Sequence, residues 1–232
     1  MTDDASGTFD PRVPLLLLLS VTTGLVDAAS VLGLGKVFTA NMTGNVVFLG
    51  FAAAGTPGFT VAPFLVAILS FLLGALIGGR TAKMHAGLTQ RRWLLTAAAA
   101  ETILLWLAAA FAVGFDIAVQ TPDHSLYAII ALTGIAMGFR NATIRQLKVA
   151  DLTTTVLTLT LTGLAADSQA AGGGNPNWIR RVAAVVSILV GAAIGAWLLF
   201  HVGLAAPLAL AGGLVLIGTV VCALHPASLH RV

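Results

Sequence analysis

The sequence predicts an all-α membrane protein with six full transmembrane helices and two short broken, re-entrant helices. Three observations predict it. Of 232 residues, 58% are hydrophobic and only 9% charged, against roughly 25% charged in a soluble domain. Mean hydropathy is +0.97, and several apolar runs reach the ~20 residues that a bilayer requires. The basic residues sort cleanly to one side only if two of the apolar runs fail to cross.

Eight apolar segments occupy 13–34, 37–55, 60–80, 93–114, 125–144, 149–166, 181–201 and 205–224. The tail before the first, MTDDASGTFDPR, carries three Asp before its one Arg. It lacks the positive start of a secretory signal, so VDAAS near residue 26 is read as part of a retained helix. The second segment has the clean run VVFLGFAAAG, ~15 Å of helix and half of a ~30 Å hydrocarbon core. The third and seventh carry GALIGG and GAAIGA, whose pairs Gly74/Gly78 and Gly191/Gly195 let helices pack closely.

The fourth segment holds Glu101, and the fifth ends close to Arg140. The sixth, VADLTTTVLTLTLTGLAAD, alternates like a strand. A lone strand in lipid leaves its backbone unpaired, so a short helix buried among others is expected. The eighth contains the single cysteine, Cys222, which reads as apolar filler. Polar stretches at 81–92, 115–124 and 167–180 separate segments, the last with the flexible AGGGNPN. Trp93, Trp178 and Tyr127 near segment ends suit an interfacial belt.

If all eight segments crossed, eight Lys and Arg would lie on one side and four on the other. If the second and sixth enter and leave on the same side, eleven lie together and only Lys36 lies opposite. The second arrangement obeys the positive-inside rule far better and places both termini in the cytoplasm.

Self-comparison points to a duplication. At a separation of 110, Thr23-Gly24-Leu25 matches Thr133-Gly134-Ile135, and Ala40-Asn41-Met42-Thr43 matches Ala150-Asp151-Leu152-Thr153. After AGGGNPN the separation is 117, where SFLLGALIG matches SILVGAAIG. The chain then divides into a cytoplasmic tail (1–12), a first repeat (13–114, broken segment 36–55), a second repeat (125–224, broken segment 148–166) and a C-terminal tail (225–232). Three crossings per half make the repeats inverted, an arrangement in which breaks mark transporter and channel sites. Four crossings per half would make them parallel, which charge sorting disfavours.

GLVDAASVLGLGKVFTANMTGNVVFLG and GIAMGFRNATIRQLKVADLTTTVLTLTLTGLAAD resemble the YoaK family of bacterial membrane proteins. The second stretch fits that family's Asn in a basic segment followed by a D-x-T-T-T run. With the segment spacing, the likeness covers about residues 14–224. It implies a multispanning cytoplasmic-membrane protein and brings no established activity.

Asn41 and Asp151, paired by the repeat, each precede a short helix where Asn and Asp are good N-caps. Capping alone is one reading. The other brings two helix N-termini together at the membrane midplane, each worth about half a positive charge, as a solute site. That site would use Asn41, Thr43, Asn45, Asp151, Thr153, Thr154 and Thr155. Asp27 lies on a polar face with Thr23 and Ser30 and is a candidate, with Asp151, for proton or ion coupling. Its alternative is a structural hydrogen bond to a neighbouring broken segment. Glu101 and Arg140, at similar depths, are expected to pair within the membrane. Asn141, Arg145 and Gln146 suit either a cytoplasmic vestibule or a solvated helix end.

No Ser–His dyad, HExxH, Walker loop or CxxC stands in the sequence, and no His is central in a span. No catalytic residue, metal or cofactor is expected, and the chain is not expected to be an enzyme. The leading expectation is a small-solute transporter or channel, with proton coupling a further option. The runner-up is a non-transporting scaffold or partner subunit, and the third reading is an intramembrane aspartyl enzyme. The expected partners are the lipid bilayer of a bacterial inner membrane and an unidentified small solute, with no nucleic acid. Homo-oligomerisation is left open.

Overall fold

The computed structural model describes residues 10–85, 87, 89–147, 149, 152, 154–155 and 157–225. They form α1 (Arg12–Gly33), α2 (Met42–Ala53), α3 (Val61–Met84), α4 (Gln90–Ala112), α5 (Asp123–Leu147), α6 (Leu157–Ala166), α7 (Trp178–His201) and α8 (Ala205–Leu224). A single 3-10 turn, Gln169–Ala171, lies in the AGGGNPN connection. The described residues contain no strand, so the Thr-Leu alternation of 157–162 is helical. Six helices are long and apolar enough to cross a membrane, whereas α2 and α6 are not.

The chain turns back into the bundle after α1. Gly35 and Lys36 adopt φ of 72° and 69°, a left-handed pair in which glycine is unstrained and lysine is costly. Leu34 before them and Val37, Thr39 and Ala40 after them are buried. Ala40 meets Asp27, six residues before the end of α1, so the chain has returned ~9 Å along that helix. From there the 12 residues of α2 rise only ~18 Å, too little to cross.

Helices α1, α4, α5 and α8 pack around the centre. Helix α3 lies on α5, α7 lies on α1, and the short α2 and α6 lie on α3 and α7. Glycines set the two closest crossings. A Cβ at Gly191 would come 2.0 Å from the Val21 carbonyl oxygen, and one at Gly24 2.2 Å from that of Ile188. On the other side a Cβ at Gly74 would meet the Ile135 oxygen at 2.1 Å, and one at Gly138 the Phe71 oxygen at 2.0 Å. Backbones approach this closely only where no Cβ stands between them, a form of small-residue packing that suits helices in lipid. Along both crossings residue numbers rise together, so α1 runs parallel to α7 and α3 parallel to α5.

These contacts set their own register. Val21 and Gly24 stand to α7 as Ile135 and Gly138 stand to α3, a separation of 114. Gly33 and Leu147, which end α1 and α5, show the same separation. Helices α3 and α7 correspond at 117 at both ends. Asn45 is the buried residue of α2 and Thr160 that of α6, at 115. Letter matching at 110 thus differs from the packing by about one helical turn.

Candidate functional site

A line of polar groups runs through the middle of the bundle. Glu101 stands eleven residues from either end of α4. Arg140, 1% exposed, donates from Nε to Glu101 Oε1 at 2.5 Å, and its Nη2 donates to the same oxygen. Its Nη1 donates to the Leu19 carbonyl and to Thr23 Oγ1, both at 3.1 Å. One guanidinium therefore ties α5 to α4 and α1. Two opposite charges this deep persist because each offsets the other's desolvation and hydrogen bonds satisfy the rest.

Asp27 lies on the same face of α1, one turn beyond Thr23. Its Oδ1 accepts the Ala40 amide at 3.1 Å. The structural alternative foreseen for Asp27 is thus realised: it holds the lead-in to α2. Ser30, the third member of the face, bonds within α1 to the Asp27 carbonyl at 3.2 Å. On the other half, Asn141 Oδ1 accepts Thr155 Oγ1 at 2.6 Å. Asp27 and Asn141 are 114 apart, so in the packing register they anchor corresponding lead-ins.

The described residues do not bring the two short helices together. Helices α2 and α6 make no contact with one another, because each rests on a different outer helix. Asn45 is fully buried and spends both polar atoms on Phe38. It accepts the Phe38 amide at 2.9 Å and donates to the Phe38 carbonyl at 2.5 Å. Asn41 takes the N-cap position of α2 in extended backbone, but its side chain makes no capping bond. Asn41 and Thr43 are exposed on the outside of the bundle. Thr154 is buried with an unpartnered hydroxyl, as is Thr39. Asp151 and Thr153 lie outside the described residues.

Two ends of the polar line differ. Beside the last turns of α5, a cavity of about 740 Å³ opens between α3 and α5, lined by Asn141, Arg145 and Gln146 among apolar residues. At the opposite end the α4–α5 connection folds over the end of α1. Gln120 Nε2 donates to the Gly33 carbonyl at 3.0 Å and to that of Ile117 at 2.7 Å, while its Oε1 is buried without a partner. The turn beneath it is closed by Asp116 and Thr121, whose amides bond to each other's carbonyls at 3.0 and 3.3 Å. Nothing in the letters marks Gln120. It sits in a polar connection, and its reach to Gly33 depends on a left-handed backbone at φ 56°.

Lys36 does not stand free at this end. Its ammonium lies 4.7 Å from the Phe59 ring centroid, within a cluster that also holds Phe38, Phe48, Phe51 and Phe64. A cation over an aromatic face is favourable, more so where water is scarce.

The family described as "Protein of unknown function (DUF1275)" matches residues 15–221. The "UPF0700 transmembrane protein YoaK" of Bacillus subtilis (strain 168) is 36% identical over 156 residues, which cover 67% of each chain. No solved structure matches. With six membrane-length helices and these two likenesses, the chain belongs to the DUF1275 family of multispan transmembrane proteins, to which YoaK is similar throughout most of its length.

Proposed function

We propose that the protein is a small-solute transporter or channel of a bacterial cytoplasmic membrane, with both termini in the cytoplasm. The observation that carries this is the cavity of about 740 Å³ whose lining includes Asn141, the neighbour of Arg140 in the buried network. The cavity thus ends one residue along α5 from the buried Arg140–Glu101 pair, and ionisable residues inside a membrane are costly unless they serve a path or hold a fold. The path would run from the vestibule past Asn141 and the Arg140–Glu101 pair to Asp27, and Gln120 would close the far end. Asp27 is the group in this path best placed for proton coupling, because losing its charge would loosen its hold on Ala40. An inverted duplication accounts for the paired glycine crossings and paired lead-in anchors.

The test is protein-dependent flux in reconstituted vesicles, screened with small anions, cations and neutral solutes, for wild type, Asp27→Asn and Glu101→Gln. Passage through this path gives flux in wild type that both variants reduce. Flux equal in all three would remove the path. The scaffold reading is favoured by a different observation: Asn45 and Arg140 direct their hydrogen bonds to the protein's own groups. Absence of flux for every solute, with the fold intact, would leave that reading standing.

A further inference from the structure

The acids among the described residues are largely committed. Asp10 pairs with Arg12, Glu101 with Arg140 and Asp167 with Arg181. Asp27 faces the Ala40 amide, and Asp116 and Asp123 lie at the opposite end of the bundle. Arg145, on the lining of the vestibule, faces no carboxylate among these residues. Gln146 lies next to it on the same lining. Arg80 and Lys83 extend α3 just past Gly79, at the same end. Among the described residues the mouth is therefore electropositive, which favours entry of anions and opposes cations.

The rest of the lining differs in kind. Phe71, Ala75, Ile144 and Leu152 supply apolar lining beside these polar groups. The volume of about 740 Å³ far exceeds an inorganic ion and falls in the range of pockets for organic ligands. A guanidinium offers a planar pair of donors that matches a carboxylate, and an adjacent amide can add a third.

We infer that this vestibule binds a small, water-soluble organic monoanion with an apolar body, of the medium-chain carboxylate class. Its headgroup sits on Arg145 and Gln146, and its hydrocarbon lies against Phe71, Ala75, Ile144 and Leu152. The inference deepens the transport reading by naming a substrate class, and it rests on that reading only for the steps after binding.

Octanoate is the probe, titrated calorimetrically into the full-length protein in phosphatidylcholine nanodiscs. Octanoate binds wild type, and Arg145→Gln weakens binding by about tenfold or more, with Arg145→Lys in between. Octyltrimethylammonium, the same body with the opposite charge, does not bind. Arg145 is exposed, so unchanged thermal unfolding of the variants checks that folding is intact. Octanoate binding that is absent, that survives Arg145→Gln, or that is matched by the cation overturns the inference. Discs containing phosphatidylglycerol separate the other source of an amphiphilic anion. If that lipid displaces octanoate from wild type but not from Arg145→Lys, the occupant is lipid and the soluble-carboxylate assignment fails. Calorimetry in discs needs no passage, so failed binding beside intact solute flux sinks the substrate class alone. Binding without flux sinks the transport reading and leaves this site.

Discussion

Asp27 accepts a hydrogen bond from the Ala40 amide, thirteen residues further along the chain, at 3.1 Å. This bond folds the chain back alongside the helix it has just left. The lead-in to α2 otherwise exposes amides with no water to meet them, so a carboxylate is a strong local anchor. In a Cys222→Ser background, Thr39→Cys should react slowly with an impermeant thiol reagent, because Thr39 is fully buried. Adding Asp27→Leu should raise that rate by roughly tenfold or more, since a buried charged acceptor is lost. Asp27→Asn, which keeps one acceptor, should raise it less. Equal rates in all three would mean that Asp27 does not hold the lead-in.

The Arg140–Glu101 pair predicts strong non-additivity. Glu101→Leu or Arg140→Met alone strands a buried charge and should cost about 3–5 kcal/mol. The double substitution removes both charges and should cost well under the sum of the two. Reversible unfolding in mixed detergent measures the cycle. Additive losses would show that the two side chains act separately.

Asn45 predicts a local loss. Asn45→Ala leaves the Phe38 amide and carbonyl without their partners at a buried position, at about 1–3 kcal/mol for each stranded group. Amide exchange at Phe38 should accelerate while exchange in α5 stays slow. A uniform acceleration across the bundle would instead mean that Asn45 supports the whole fold.

Two glycine substitutions should behave oppositely. Gly191→Ala drives a Cβ to 2.0 Å from the Val21 carbonyl oxygen, so α7 must move off α1 and the protein should be markedly destabilised. Gly50→Ala in α2 meets nothing within 4 Å and should be neutral or stabilising by about 0.5–1 kcal/mol, the usual helix gain. Thermal unfolding of the two variants beside wild type decides this.

Acid should loosen the start of α1. Burial raises the Asp10 carboxyl, but hydrogen bonds and charge from Arg12 outweigh it, so it ionises below the ordinary Asp range. A carboxyl held lower in the folded than in the unfolded chain stabilises the fold above its unfolded value. That contribution fades as pH falls through the folded value. Asp10→Asn should flatten this acid limb of the stability profile and leave neutral-to-basic pH unaffected by titration here. A limb unchanged by Asp10→Asn would place the acid sensitivity elsewhere.

Much of the architecture was legible in the letters. The small number of charges and their sorting select six long helices and two short ones, and the lengths in the structure agree. The meeting of Glu101 and Arg140 follows from depth alone, since each needs a partner and each lies well inside its helix. The separation of 114 on which the glycine contacts fall was not legible. In an Ala-, Gly- and Leu-rich helix a shift of four residues preserves the face and much of the spelling, so a slip of one turn leaves little trace. Asn45 shows a second limit. A polar residue that binds a solute and one that closes its own backbone look alike in sequence, and only the position of Phe38 separates them.

The crossings of α1 with α7 and of α3 with α5 join opposite halves of the chain. They bear on biosynthesis. When α1 enters the membrane, the helix that will cover Gly24 lies more than 150 residues ahead, still unmade. Until α7 emerges, α1 must carry a bare glycine groove among lipids or insertion factors. A ribosome stalled after the first half would therefore release a product that is inserted but not assembled. Closure of that groove waits for the last quarter of translation.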